Sequence, residues 1–195
     1  MSGPEGAWPP MPKGATDVHT IPTVERPESL TDERVAAMKL AALADPNVRA
    51  ALGTRFAYLT ADELELPKGQ TRPPGTAIPG VLAFYSHSGG MAVRVRMTGP
   101  HVDAIERLPE LQPAEGADEI AEAIGLARRD ERITAAVASL AGYAMLTQPL
   151  DDKRPQGQRV LYVSFSKPED DHSEYFATVD LIQQKVLAAG KAAGR

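Results

Sequence analysis

The 195 residues carry 26 acidic against 21 basic side chains, a net charge of −5 with no Lys/Arg block, and so give no electrostatic basis for holding nucleic acid or an anionic surface. Cysteine is absent, which excludes disulfides, zinc–thiolate sites, iron–sulfur clusters and a thiol nucleophile. A composition 43% hydrophobic and 24% charged is that of a globular chain, with apolar surface for one medium domain or two small ones.

Residues 1–28 come first, with Pro4, Pro9, Pro10, Pro12, Pro22 and Pro27 among scattered glycines. Proline fixes φ and lacks an N–H donor, so this proline-rich tail is expected to be extended or irregular. It has neither the basic nor the apolar region of a secretory leader, and no apolar run in the chain approaches the ~18 residues of a membrane span. A cytoplasmic protein with no membrane partner is expected. Trp8, in AWPPMP, is the chain's one tryptophan and the expected apolar anchor of a tail that straps onto a groove of its own domain or a partner's.

SLTDERVAAMKLAALAD opens the first folded module. Ser29 with Asp32 reads as a capping box, and Asp32 and Glu33 suit the positive end of a helix. Val35, Met38 and Ala42 recur at three and four residues, and Leu40 and Leu43 widen the stripe, so one helix face is expected to lie on a sheet. Asp45-Pro46 starts a short second helix that Gly53 stops. Strands are expected at 55–59, 81–87, 91–97 and 101–108, the last three joined by the turns SHSGGM and TGPH. The proline-rich link 66–80 is expected to be irregular. Alternation in VRVRM points Val93, Val95 and Met97 to one side and Arg94 and Arg96 to the other.

The second half repeats this order. An offset of 85 residues pairs Val35 with Ile120, Asp45 with Asp130, Val48 with Ile133, Ala51 with Ala136 and Tyr58 with Tyr143, covering helix and first strand alike. Strands follow at 159–167, 174–181 and 183–189, with Tyr175, Ala177, Val179 and Leu181 on the core side and Phe176, Thr178 and Asp180 opposite. The expected class is α+β: a tandem duplicated module, 29–112 and then 113–195, each a helix packed on a four-stranded antiparallel sheet. Modules this small are marginal alone, so packing between the copies or against a partner, a homodimer included, is expected.

Leu30, Thr31, Glu33, Asp45, Pro46, Val48, Arg55 and Phe56 form a helix-to-strand entry, and Val179, Asp180 and Leu181 lead through a short turn to Lys185 and Val186. In these residues and in the order of elements the chain resembles the small N-terminal modules of copper amine oxidases, which are cystatin-like. The resemblance implies architecture without chemistry. That family matures a quinone from an Asn-Tyr motif and holds copper with histidines that include a His-x-His pair. Here Asn47, the one asparagine, is followed by valine, and His19, His87, His101 and His172 form no such pair. No amine oxidation, no metal and no cofactor are expected.

His87, His101 and His172 fall at hairpin turns and are expected to be solvated, His172 within the acidic tip EDDHSE. Arg94 and Arg96, on one strand face, suit an anion or carboxylate, because guanidinium forks pair with such groups. Repetition favours a structural role for Tyr58 and Tyr143. HSGGM is no phosphate loop, and no Gly-x-Ser-x-Gly elbow occurs. Two readings follow. The first is a non-catalytic accessory protein that presents sheet faces or edges to a protein or peptide, with Trp8, Arg94 and Arg96 as binding residues. The second is a small acid–base enzyme of isomerase, cyclase or lyase type, with Asp180, His101 or Tyr143 acting in a pocket between helix and sheet.

Overall fold

In the computed structural model, which describes residues 30–64, 73, 75–147, 158–168 and 172–192, Thr31 opens the first helix. Its Oγ1 accepts from the Arg34 N–H at 3.4 Å, one of the donors a helix start leaves unsatisfied, and α1 (Asp32–Ala44) follows. The cap is thus Thr31; Ser29, the tail 1–28 and its Trp8 lie outside the described residues. Asp45 ends α1 and caps α2 (Pro46–Leu52), its Oδ1 accepting from the N–H groups of Asn47 at 2.7 Å and Val48 at 3.1 Å. Gly53, at φ 72°, then turns the chain out of the helix in a conformation other residues rarely adopt.

Among the described residues the strands form two four-stranded sheets, and there are three helices. The first sheet comprises β1 (Phe56–Glu63), β2 (Pro79–Ser86), β3 (Met91–Thr98) and β4 (His101–Leu108). After α3 (Ala117–Arg128) the second comprises β5 (Ala141–Leu146), β6 (Val160–Ser166), β7 (Tyr175–Asp180) and β8 (Lys185–Lys191). Both are antiparallel meanders in chain order. The expected strands are all present, with β1 running on to Glu63 and β8 to Lys191.

Each sheet buries one face under its helices. Leu82, Phe84, Val93, Val95 and Met97 pack on Met38, Ala42, Val48 and Leu52 in the first half. Leu161, Val163, Phe165, Ala177 and Val179 pack on Ala123, Ala127, Ile133 and Val137 in the second. Arg94 and Arg96 face outward as the alternation requires. Leu40 does not join the core stripe; it is 74% exposed, on the side of α1 away from the sheet.

The helical pattern recurs at one offset, since Met38, Ala42, Val48 and Leu52 are buried and so are Ala123, Ala127, Ile133 and Val137, 85 residues on. Asp130 likewise caps as Asp45 does, its Oδ1 accepting from the Arg132 N–H at 3.1 Å, although 131–140 form turns in place of α2. At the first strand the offset breaks. Tyr58 faces the core, edge-on to Phe84 at 5.7 Å, whereas Tyr143 faces outward and is 58% exposed. A one-residue slip reverses every side chain of a strand, so these two tyrosines share no structural role.

Candidate binding site on the first sheet

Outward from β2 and β3 stand Val81, Ala83, Ala92, Arg94 and Arg96, and small side chains here leave a floor that another backbone could approach. The segment between the sheets passes over one end of this floor, bringing Leu111 and Pro113 down on it. The result is an open cavity of about 350 Å³, walled by Thr60, Asp62 and Leu64 from the β1 side and by Arg94, Arg96 and Glu106 from the other. Arg96 Nη2 lies 3.6 Å from Glu106 Oε1, with both side chains half exposed. The Arg94 side chain, in register with Glu106, makes no hydrogen bond or ion pair with a described residue. The cavity thus presents one guanidinium without an ionic partner among the described residues.

Beyond Pro113 the same linker closes a buried polar cluster that joins the two halves. Arg159 is fully buried just before β6; its Nε donates to Glu119 Oε1 at 2.8 Å and its Nη2 to Oε2 at 2.6 Å. Nη1 donates to the Pro113 carbonyl at 2.7 Å and Nη2 to that of Ala114 at 3.2 Å, while the guanidinium carbon lies 4.4 Å from the centre of the Tyr85 ring. These contacts supply the hydrogen bonds a buried ion pair needs. Burial pushes the Tyr85 phenol above its ordinary pKa, opposed by the hydrogen bond from Gln112 Nε2 at 3.2 Å. A second tie runs from Arg55, whose Nη2 donates to Glu122 Oε1 at 2.7 Å and whose Nη1 donates to the Ile182 carbonyl at 3.3 Å.

His87 belongs to this cluster, contrary to the expectation of a solvated turn residue. It is 5% exposed, edge-on to Tyr85, with Nε2 3.4 Å from Glu119 Oε1 but no hydrogen bond to either ring nitrogen among the described residues. Burial lowers its pKa below the ordinary histidine value, and the Glu119 carboxylate opposes that shift without overcoming it. The carboxylate beside it comes from Glu119 on α3, which is not near in sequence. Sequence reasoning passed over Glu119, Arg159 and Tyr85. A partial signal was present at Tyr85, a large aromatic at an outward position of its strand, where burial needs a cover from elsewhere.

The remaining candidates do not gather at one place. His101 is exposed at the start of β4, Tyr143 is exposed on β5, and Asp180 is buried at the end of β7. The Asp180 carboxylate is engaged by the β7–β8 turn, its Oδ1 accepting from Ile182 N–H at 2.8 Å and Gln183 N–H at 3.1 Å. A cavity of about 380 Å³ does lie between α1 and the ends of β2–β4, but Leu30, Met38, Ile78 and Pro100 line it with Arg34, and none of the three acid–base candidates does. No helix among the described residues is long and apolar enough to cross a membrane.

No protein-family model matches the chain, and no curated protein matches it in sequence. Among solved structures it is similar to a copper-containing benzylamine oxidase from Hansenula polymorpha, at 14% sequence identity and a TM-score of 0.50 over 80% of this chain. The chain spans 29% of that enzyme's length, and likeness at such identity speaks to fold alone.

Proposed function

We propose that the chain is a non-catalytic binding protein that holds an acidic, extended peptide segment against the outward face of its first sheet. The observation that carries this reading is Arg94, outward on a rigid strand, lining a cavity floored by small side chains and lacking an ionic partner among the described residues. A guanidinium in that setting takes a carboxylate in forked hydrogen bonds, and Ala83 and Ala92 let the peptide backbone lie close. Asp62, across the cavity, fixes polarity by repelling a second acidic group on the β1 side. The two halves read as copies of one helix-on-sheet module of the kind found in the N-terminal part of copper amine oxidases. Recurrence of the buried helix positions and of the Asp45 and Asp130 caps supports that reading.

Titration of labelled peptides of alternating Glu and Ala, beside counterparts with Gln for Glu, tests the proposal. Binding of the Glu peptide is expected to weaken about tenfold or more in Arg94→Ala, the loss of one charged contact of ~1.4 kcal/mol. Equal binding of Glu and Gln peptides, or no effect of Arg94→Ala, would overturn it.

A further inference from the structure

Register assigns the outward residues of the second sheet to two rows that cross all four strands. One row runs Tyr143, Ser164, Phe176, Gly190; the next runs Met145, Tyr162, Thr178, Ala188. Neither row contains a charge, whereas the outward face of the first sheet carries Asp62, Arg94, Arg96 and Glu106. Tyr143 and Met145 are 58% and 60% exposed, and the rings of Tyr162 and Phe176 lie parallel within 7°, 6.1 Å apart. An antiparallel sheet left to water has a polar outer face, and these rows set hydroxyls among large rings and Met145 with no charge at all.

We propose that this face packs on the same face of a second copy, about a twofold axis parallel to the strands and midway between β6 and β7. Such a rotation lays β5 over the partner's β8 and β6 over the partner's β7, with each row over its own counterpart. Tyr143 then meets the partner's Gly190, Met145 the partner's Ala188, Tyr162 the partner's Thr178 and Phe176 the partner's Ser164. Every large side chain faces a small one, and symmetry repeats each pairing. A twofold axis across the strands instead sets Tyr143 on the partner's Met145 and Gly190 on the partner's Ala188, large on large and gap on gap. Size complementarity therefore selects the first axis. Lack of charge selects the occupant: the patch gives a charged partner nothing to pair with, while a second copy is uncharged by construction. Four strands at ~4.8 Å and about four residues, the span of the two rows, at ~3.4 Å make a face of about 19 by 14 Å, roughly a third of a standard interface per partner, so the dimer forms and dissociates with concentration.

Sedimentation equilibrium of the full chain from about 1 µM to about 1 mM, the range in which a small interface responds, is the test. A monomer–dimer equilibrium is expected, and Tyr143→Lys is expected to raise its dissociation constant about tenfold or more. Met145→Ala and Ala188→Met should each weaken the dimer, and the two together should restore it, because these positions face each other. Circular dichroism on each variant confirms folding, and the paired exchange decides the matter should Tyr143→Lys unfold the chain. A strictly monomeric protein, a dimer indifferent to Tyr143→Lys, or a paired exchange that fails to recover association would overturn the proposal.

Discussion

Arg159 grips both carboxylate oxygens of Glu119, at 2.8 and 2.6 Å, with neither side chain exposed. Two ions removed from water stabilise one another only as a pair, and removing one strands the other. Arg159→Ala is expected to cost ~3–5 kcal/mol in urea unfolding, and Glu119→Leu combined with Arg159→Met far less than the sum of the single losses. A loss below ~1 kcal/mol in Arg159→Ala would mean that Glu119 is not stranded by the loss of its partner.

His87 gives that junction a pH dependence. Its native pKa lies below the ordinary 6.5, so the unfolded chain takes up the proton more readily. Stability contributed by the neutral ring is complete above the unfolded value and is lost as pH falls from there through the depressed native value. Urea midpoints are expected to drop as pH falls through about 6.5 and below, and His87→Gln to flatten that slope. An unchanged slope in His87→Gln would assign it to other groups.

At Gly116 a Cβ would collide with the Tyr58 carbonyl oxygen, the point where α3 starts against β1. Gly116→Ala is expected to lose ~1–3 kcal/mol through the forced backbone shift. Gly125, inside α3, would meet only Arg129 Nη1 at 3.7 Å, so Gly125→Ala is expected to gain ~0.5–1 kcal/mol from helix propensity. Thermal melts of the two variants should move in opposite directions.

For Asp180 the structure separates turn from charge. Asn can accept from the Ile182 and Gln183 N–H groups as Asp does, and Ala cannot. Asp180→Ala is expected to cost ~1–2 kcal/mol and Asp180→Asn a small part of that. Equal losses in the two variants would show that the carboxylate charge, and not the turn, matters.

Much of this arrangement is legible in sequence because it is local. Asp45-Pro46, the alternation at Val93–Met97 and the hairpin turns act within a few residues, and all appear as read. The outward arginines are legible for the same reason. Hidden were the facts that depend on what covers a surface: His87 reads as a turn residue until α3 brings Glu119 against it. Tyr58 and Tyr143 mislead differently. A constant offset holds through the helix and to the strand starts at Phe56 and Ala141, but β1 breaks register between Tyr58 and Thr60 where β5 does not, and alternation converts a slip of one into opposite faces.

Among the described residues every strand in either sheet hydrogen-bonds only to strands next to it in sequence. Closing short loops costs little entropy, so hairpins can form early and independently. The ties between the halves reach much further, 67 residues from Arg55 to Glu122 and 127 from Arg55 to Ile182. Assembly is accordingly expected to run from hairpins to docking, leaving the ionic clasp on the native side of the folding barrier. In stopped-flow kinetics, loosening it with Arg55→Ala should hasten unfolding and leave the refolding rate almost unchanged; a refolding rate that falls instead would place docking before the barrier.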